Sequence, residues 1–202
     1  MRCELNEIAL ECGTDKATKH KYTFQYARYF EPLRHERLKL MEIGVKSGAS
    51  MRLWERYFTR AEIVGVDIAD CKEHETERVR IFRADQTDRE ALEAVVRQTG
   101  PLDIVIDDGD HHVEAQLAAL GLLWRHVAPG GMYVIEDLAS SYRPDFGGGY
   151  LRAGSMIEFL KGLVDVIHNE YVWKWNKKGI IGWPGLEGIH FYEQLVFLFK
   201  RA

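Results

Sequence analysis

The sequence has few cysteines and no long apolar run. Its three cysteines, Cys3, Cys12 and Cys71, are odd in number and widely spaced, and they form no CxxC pair. This spacing argues against a disulfide scaffold and against a zinc site. No stretch approaches the roughly 20 apolar residues of a membrane-spanning helix, and the first residues lack the apolar segment of a signal peptide. We therefore expect no membrane partner and, by default, a cytoplasmic location.

The sequence also lacks an excess of basic residues. Its formal net charge is −4, so nothing indicates a nucleic-acid partner. A hydrophobic fraction of 46% is ordinary for a soluble globular protein and suffices for a sizeable core. We expect one domain over residues 1–202, with a helical N-terminal cap segment at 1–36 and a core at 37–202. The sequence leaves open whether the chain forms a homo-oligomer.

Strand-like and helix-like segments alternate through the middle of the chain. Short apolar strands are predicted at 38–44, 62–67, 79–83, 102–106 and 131–135. Helices are predicted at 49–58, 88–98 and 112–127, the second of them with Asp88 as its N-cap. This order predicts an α/β fold, specifically a Rossmann-like three-layer sandwich with a mostly parallel sheet.

The two ends of the chain have a different pattern. Residues before about Arg37 look helical, and one apolar face at helical spacing comprises Tyr22, Tyr26, Tyr29 and Phe30. After the three glycines at 147–149 we expect a helix over 155–166 and then two strand-like runs, the second at 188–200. The last run predicts an antiparallel C-terminal strand.

A glycine turn and an acidic residue follow the first two predicted strands. Gly44 and Gly48 are spaced GxxxG rather than GxGxxG, which disfavours a dinucleotide-dependent dehydrogenase. Glycines at such a turn let the backbone approach a ligand, although many serve only the shape of the turn. Asp67 ends the second strand, where a carboxylate can accept both hydroxyls of a ribose.

Polar pairs also follow the third and fourth strands. Asp85 and Gln86 come after the third strand, and Asp107 and Asp108 come after the fourth. The carboxyl ends of parallel strands meet at one edge of the sheet, so these groups should surround a single crevice. Each of them alone is also compatible with an ordinary cap or turn.

A cluster of carboxylates and histidines is predicted beside that crevice. The run DDGDHH occupies 107–112, and Glu136 and Asp137 follow the fifth strand. Oxygen ligands converging on one cleft are typical of a site for Mg²⁺, Mn²⁺ or Ca²⁺. The alternative is structural: Asp110 caps the following helix, His111 lies in its first turn, and Glu136 and Asp137 form a polar loop.

The runs EIGVKSGAS, VDI, ADQTD, IDDG and PGGMYVIEDL together resemble the class I S-adenosylmethionine-dependent methyltransferases. The resemblance implies a cofactor site formed by Glu42, Gly44, Gly48, Asp67, Asp85, Gln86 and Asp107. In this site the first three residues would line the methionine part, Asp67 would hold the ribose, and Asp85 and Gln86 would flank the adenine.

A narrower resemblance rests on DDGDHH, VIEDL, GTDK at 13–16 and GIHFY at 188–192. These motifs resemble the sugar O-methyltransferases of macrolide and anthracycline-type pathways, such as those of mycinamicin and elloramycin tailoring. The resemblance implies that Asp108, Glu136 and Asp137 bind Mg²⁺ and that His111 is the general base. The chain departs from that family at Asp110, where serine is more common.

The expected reaction is metal-dependent transfer of a methyl group from S-adenosylmethionine to a hydroxyl of a sugar or glycoside. A divalent metal would acidify the hydroxyl and His111 would take its proton, because histidine titrates near neutral pH. The neighbouring His112 is the rival for this role. Two alternatives stay open: a metal-independent methyltransferase for another small molecule, and a non-catalytic module that binds S-adenosylmethionine.

The GTDK segment is either a helix cap at Thr14 or Asp15, or a segment that folds over the cofactor.

Overall fold

The computed structural model describes residues 3–176 and 183–202. Its strands are β1 (Lys39–Ile43), β2 (Glu62–Asp67), β3 (Val79–Arg83), β4 (Leu102–Asp107), β5 (Val127–Ile135), β6 (Leu186–Tyr192) and β7 (Leu195–Lys200). Its helices are α1 (Glu4–Cys12), α2 (Asp15–Thr18), α3 (Thr23–Phe30), α4 (Ala49–Tyr57), α5 (Arg89–Thr99), α6 (Val113–Leu123), α7 (Met156–Ile167) and α8 (Asn169–Asn176). Within the described ranges, no helix is long and apolar enough to cross a membrane.

The strands form one sheet in the order β3-β2-β1-β4-β5-β7-β6. Strands β1 to β5 pair in parallel, whereas β7 is antiparallel to both β5 and β6. The chain runs outward from β1 through β2 to β3 and then returns to place β4 on the other side of β1. Such a reversal opens a crevice beyond the carboxyl ends of the central strands. The predicted α/β fold and mostly parallel sheet are confirmed.

The sheet is apolar on both faces. Neighbouring residues of one strand enter different cores: Leu40 packs on one face of the sheet and Met41 on the other, as do Ile63 and Val64. Helices must therefore cover both faces, which gives the predicted three layers. Helix α5 begins as expected, because the side chain of Asp88 accepts a hydrogen bond from the Ala91 amide.

The N-terminal segment is helical and packs on one face of the sheet. Tyr22, Tyr26 and Phe30 are buried there, and the rings of Tyr26 and Phe30 both lie edge-on to Trp54 of α4. The predicted apolar face therefore exists. The packing of this face holds the N-terminal helices close to the carboxyl ends of β1, β4 and β5. Polar atoms of these helices therefore become part of the site.

The C-terminal region differs from the expectation in two places. Two strand-like runs were expected after the helix at 155–166; residues 169–176 in that interval form helix α8, and residues 177–182 lie outside the described residues. The long run at 188–200 is two strands joined by a tight turn, in which Gln194 has a φ of 61°. The sheet therefore ends in an antiparallel hairpin rather than in one antiparallel strand.

Candidate active site

A cleft of about 830 Å³ opens beyond the carboxyl ends of β1 to β4. Of the strand-end residues singled out in the sequence, the cleft is lined by Gly44, Asp67, Asp85, Gln86, Asp108, Asp110, His111 and Asp137. Gly13, Thr14 and Asp15 line it from the N-terminal segment. The cleft therefore brings together groups from the ends of several strands, as the strand order requires.

Gly44 allows the turns after β1 and β4 to touch. Its φ is 95°, and a Cβ added there would lie 2.2 Å from the carbonyl oxygen of Asp108. The Gly44 amide donates to the Val66 carbonyl, and the Asp108 amide donates to the Ile43 carbonyl. A side chain at Gly44 would push these turns apart, so the floor of the cleft requires glycine.

Asp67 holds the same turn from the end of β2. Its Oδ2 accepts hydrogen bonds from the amides of Val45 at 2.8 Å and Lys46 at 2.9 Å, and its Oδ1 accepts from the Ala69 amide at 2.9 Å. Partial burial alone would raise the pKa of Asp67, but these backbone donors outweigh it and lower the pKa. Asp67 is therefore an ionised carboxylate that lines the cleft.

Gln86 and Asp107 form a buried bridge between the turns after β3 and β4. Gln86 accepts from the Asp110 amide at 2.6 Å and donates to Asp107 Oδ1 at 3.3 Å. The hydroxyl of Tyr133 donates to Asp107 Oδ2 at 3.2 Å. Burial raises the pKa of Asp107 to about 7, even though these hydrogen bonds favour the ionised form.

Three residues expected at the cofactor lie behind the cleft wall. Glu42 is fully buried and accepts a hydrogen bond from the indole of Trp54 at 2.7 Å. Gly48 is buried against the ring of His74, which a Cβ would approach to 2.4 Å. Asp107 is 1% exposed and holds Gln86. Packing inside the protein accounts for all three, which support the wall rather than line it.

The centre of the acidic cluster is occupied by the ammonium group of Lys16. Its Nζ lies 2.6 Å from Asp108 Oδ2, 2.7 Å from Glu136 Oε1 and 3.0 Å from Glu42 Oε1. Burial alone would lower the pKa of Lys16, but Asp108, Glu136 and Glu42 raise it well above its ordinary value. The hydroxyl of Tyr26 donates to the same Glu136 oxygen at 2.5 Å. We call Glu42, Asp108 and Glu136 the inner group.

A second set of possible metal ligands lies closer to solvent. Asp108, His111 and Asp137 each offer one donor atom within 4.8 Å of the others, and all three are partly exposed. Asp137 Oδ1 accepts from the hydroxyl of Tyr22 at 2.7 Å and lies 3.2 Å from His20 Nδ1. We call Asp108, His111 and Asp137 the outer group. Asp108 belongs to both groups.

The structure therefore divides the ligand set expected from the sequence. Asp108 and Asp137 face the cleft, whereas Glu136 is 1% exposed and already bound by Lys16 and Tyr26. Burial, followed by the charge of Asp108, raises the pKa of Glu136 well above its ordinary value. Glu136 is therefore the most enclosed of the three expected ligands, with a side chain 2% exposed against 23% for Asp108 and 22% for Asp137.

The two neighbouring histidines have different surroundings. His111 lines the cleft, its Nε2 lies 3.4 Å from Asp137 Oδ2, and its buried Nδ1 has no hydrogen-bond partner among the described residues. His112 instead precedes α6, hydrogen-bonds to Asp110 and packs its ring on Phe146 at 4.8 Å. Asp110 thus holds His112 rather than capping α6. The geometry favours His111 for chemistry in the cleft.

Sequence reasoning missed the polar roles of the N-terminal segment. Lys16, His20, Tyr22 and Tyr26 all reach site carboxylates, although the tyrosines were expected only as an apolar face. Thr14 does cap α2, where its side chain accepts from the Lys16 amide at 3.4 Å. A tyrosine-rich helix beside a lysine was the available signal, since a buried phenol needs a partner for its hydroxyl.

Comparison with known proteins agrees with this geometry. Residues 41–138 match the family described as a methyltransferase domain. The chain is 39% identical over 204 residues to the 8-demethyl-8-alpha-L-rhamnosyl tetracenomycin-C 2'-O-methyltransferase of Streptomyces olivaceus, covering 96% of this chain and 54% of that protein. It is 36% identical over 212 residues to the mycinamicin VI 2''-O-methyltransferase of Micromonospora griseorubida, covering 98% of this chain and 52% of that protein.

A solved structure is similar throughout the chain. The MycE methyltransferase from the mycinamycin biosynthetic pathway, in complex with Mg, SAH and mycinamycin VI, has a TM-score of 0.88 and 34% sequence identity. The match covers 98% of this chain and 54% of that protein. The chain spans about half the length of the curated relatives it matches.

The fold, the cleft and these matches place the chain among the class I methyltransferases. Within that class, it is similar to sugar O-methyltransferases of the tetracenomycin and mycinamicin type.

Proposed function

We propose that this protein transfers a methyl group from S-adenosylmethionine to a hydroxyl of a sugar or glycoside, with a divalent metal bound at the outer group. The observation that carries the proposal is that groups suited to a cofactor and groups suited to a metal line the same cleft. Asp67 and the Gly44 turn form one part, and the partly exposed trio Asp108, His111 and Asp137 forms the other.

The cleft has the chemistry that an adenosyl cofactor requires. Asp67 is an ionised acceptor at the end of β2, where ribose hydroxyls can donate to it. Asp85 and Gln86 lie on the same wall one strand further along. When bound, the cofactor supplies a methyl group already activated on a sulfonium. The protein's task is then to hold an acceptor oxygen in line with that methyl group and to remove its proton.

The outer group has the chemistry that a divalent cation requires. The two carboxylates of the outer group, Asp108 and Asp137, each offer an oxygen within 4.8 Å of the other and remain accessible to solvent. Mg²⁺ prefers such oxygen-rich and incomplete sites, in which substrate or water fills the other positions. A cation there would lower the pKa of a hydroxyl bound beside it. Asp108 and Asp137 would hold the ion, and Glu136 would support Asp108 from the inner group through Lys16.

His111 is the group that would receive the proton of the acceptor. Its Nε2 faces a carboxylate, which can only accept a hydrogen bond, so a neutral imidazole carries its proton on Nε2. Nδ1 then holds the free lone pair, and it has no partner among the described residues. Because Nδ1 is buried, an acceptor hydroxyl would become its partner only if the His111 ring turned toward the cleft. Asp137 would stabilise the imidazolium that forms, as an orienting carboxylate does in other dyads.

The sugar acceptor is proposed because the two relatives described above are named for sugar-bearing substrates. We further propose that residues 1–202 act as one domain with residues 1–36 as its cap, since the N-terminal helices supply contacts to the site. Cap and core would then be needed together for activity.

A turnover assay tests the proposed function. The full chain is incubated with methyl-labelled S-adenosylmethionine and a panel of rhamnosyl and related deoxysugar glycosides, with Mg²⁺ or with chelator. We expect label in the glycoside only with metal, and full recovery when Mg²⁺ or Mn²⁺ is restored. Undiminished transfer after exhaustive chelation would remove the metal from the proposal. Cofactor binding without transfer to any hydroxylated acceptor would favour a non-catalytic module.

A further inference from the structure

Asp137 has a backbone conformation that a residue with a side chain rarely adopts. Its φ is 55° and its ψ is 37°, in the left-handed helical region. This region costs free energy for residues other than glycine, and such a residue stays in it only when its surroundings hold it there. The turn leads into the short 3₁₀ helix Leu138–Tyr142 and leaves Asp137 in the lining of the cleft. The neighbours that hold Asp137 in this conformation therefore also set the direction of its carboxylate.

The hydroxyl of Tyr22 is bonded to Asp137 twice. It donates to Asp137 Oδ1 at 2.7 Å and accepts a hydrogen bond from the Asp137 amide at 3.3 Å. A hydroxyl has one donor and two lone pairs, so a single phenol can make both bonds at once. Tyr22 is 2% exposed, and packing around its ring fixes the position of the hydroxyl. Burial, followed by Asp137, raises the pKa of Tyr22, so the phenol keeps the proton that it donates.

A third segment of the chain meets the same turn. Gln194 lies between β6 and β7 with a φ of 61°, also in the left-handed region. Its carbonyl accepts a hydrogen bond from the Leu138 amide at 3.0 Å and lies 3.4 Å from the Tyr22 hydroxyl. The Tyr22 hydroxyl therefore lies where the N-terminal segment, the turn after β5 and the C-terminal hairpin meet.

We infer that Tyr22 is a positioning residue, which holds Asp137 in its left-handed conformation and thereby orients its carboxylate for a divalent cation. The inference rests on the proposed function for that cation. The bond to the Asp137 amide restrains the backbone, and the bond to Oδ1 restrains the side chain. The other oxygen, Oδ2, lies 3.4 Å from His111 Nε2. A ligand that is oriented in advance binds a metal more tightly, because less conformational freedom is lost on binding.

His20 accompanies Tyr22 in this contact. The two rings stack with their centroids 5.0 Å apart, and His20 Nδ1 lies 3.2 Å from the same oxygen of Asp137. Within the described ranges, however, Tyr22 alone is bonded to both the carboxylate and the amide of Asp137. Removal of the Tyr22 hydroxyl therefore tests the restraint on the backbone while His20 stays in place.

The test removes the Tyr22 hydroxyl and keeps its ring. Tyr22→Phe is compared with wild type and with Tyr29→Phe, which removes a nearby hydroxyl that bonds His190 and Tyr192 outside the cleft lining. The first probe is Mg²⁺ alone, and the second is S-adenosylhomocysteine alone. Calorimetric titration gives the apparent dissociation constant of each. Amide hydrogen exchange over residues 134–142 is recorded without either ligand.

We expect Tyr22→Phe to bind Mg²⁺ about 10–100-fold more weakly than wild type, as when other groups that orient a metal ligand are removed. Affinity for S-adenosylhomocysteine should stay near wild type, because Asp67 and its backbone donors are unchanged. The amides of Asp137 and Leu138 should exchange faster, since the turn is less restrained. Tyr29→Phe should match wild type in all three measurements. Unchanged Mg²⁺ affinity in Tyr22→Phe, or an equal loss of affinity for both ligands, would overturn the inference.

A second background decides the outcome if Tyr22→Phe does not fold. Glycine adopts a left-handed φ without a steric cost, so Asp137→Gly has less need of the restraint. Tyr22→Phe should therefore cost less stability in the Asp137→Gly background than in wild type, and the double variant should be folded. An equal loss of stability in both backgrounds, or a double variant that stays unfolded, contradicts the inference.

Failure of the proposed function gives a different result. If wild type itself does not bind Mg²⁺, the metal is removed from the proposed function and Tyr22 cannot orient a ligand for it. The hydrogen exchange and the stability of the Asp137→Gly pair then still decide whether Tyr22 holds the turn. No acceptor is present in any of these measurements, so a chain that fails to methylate sugars leaves them unchanged.

Discussion

At the scale of single residues, the carboxylate of Asp67 has both a structural role and a proposed role in cofactor binding. Its oxygens hold the amides of Val45, Lys46 and Ala69, and the same group lines the cleft where a ribose would lie. Hydrogen bonds to a charged acceptor contribute about 1.5–3 kcal/mol each. The shape of the cofactor cleft and its affinity for the cofactor therefore depend on the same side chain.

Asp67→Ala should weaken binding of S-adenosylmethionine by about one to two decades, because a charge-assisted contact with the ribose is lost. Titration calorimetry measures the affinity, and circular dichroism checks that the variant is folded. Asp70→Ala, three residues further on and exposed, serves as the matched control. Unchanged affinity in a folded Asp67→Ala protein counts against this assignment.

His111→Ala should reduce turnover by about 10²–10⁴-fold while the affinity for S-adenosylmethionine stays near wild type, because a general base acts on the acceptor. His112→Ala should have little effect, since His112 packs on Phe146 outside the cleft lining. Steady-state kinetics on both variants decide between them. A large loss of turnover in His112→Ala, together with normal turnover in His111→Ala, would assign the general base to His112 instead.

The sequence predicted which residues surround the cleft better than it predicted which side chains face it. Asp67, Asp85, Gln86 and Asp108 follow strands, and strand order alone brings them to one edge. The direction of Glu42 depends on Trp54 and Lys16, which approach from α4 and the N-terminal segment. Such contacts join distant parts of the chain, and local pattern carries no information about them.

At the scale of elements, the strands with continuous apolar sequence were the most predictable. Strands β1, β2 and β4 match the expected bounds closely, because both faces of a central parallel strand are buried. The C-terminal hairpin was harder to predict, since its turn at Glu193 and Gln194 contains neither glycine nor proline. Alternating aromatics at 171–175 resemble a strand, but that segment is part of α8.

The buried Gln86–Asp107 bridge between the turns after β3 and β4 predicts that the free energy of unfolding depends on pH. Asp107 has a pKa of about 7 in the folded protein, above the ordinary value of an aspartate, so the folded state holds a proton that the unfolded state releases. The free energy of unfolding should therefore fall as pH rises from about 4 to about 7. Glu42 and Glu136, whose pKa values are also raised, act in the same direction.

Asp107→Asn should reduce this loss of stability, because an amide has no proton to release. Urea unfolding at pH 5 and pH 8 measures the difference for wild type and variant. Asp165→Asn, exposed on α7, is the control. An equally steep loss of stability in Asp107→Asn and wild type would show that Asp107 does not titrate in this range.

At the scale of the whole molecule, the fold brings cofactor groups and metal groups to the same edge of one sheet. Asp108 and Asp137 follow β4 and β5, two strands that pair directly, with Asp107 opposite Ile135. Two carboxylates from adjacent strand ends repel each other unless a cation lies between them. Binding of that cation should stabilise the whole folded chain through linkage.

Asp108→Asn should lose most activity together with its dependence on Mg²⁺, because one ligand of the outer group loses its charge. The variant should still bind S-adenosylmethionine, since Asp67 is unchanged. Turnover measured across a Mg²⁺ titration, together with calorimetry of the cofactor, separates the two effects. Wild-type Mg²⁺ dependence in Asp108→Asn would show that the ion binds elsewhere.

A crystal structure of the full chain with S-adenosylhomocysteine and Mn²⁺ would locate both ligands of the cleft, because the anomalous signal of Mn²⁺ identifies the ion directly. We expect the ribose on Asp67, one ion between Asp108 and Asp137, and the Lys16 ammonium still within the inner group. An ion in place of the Lys16 ammonium, no ion at the outer group, or a nucleoside bound away from Asp67 would contradict this expectation.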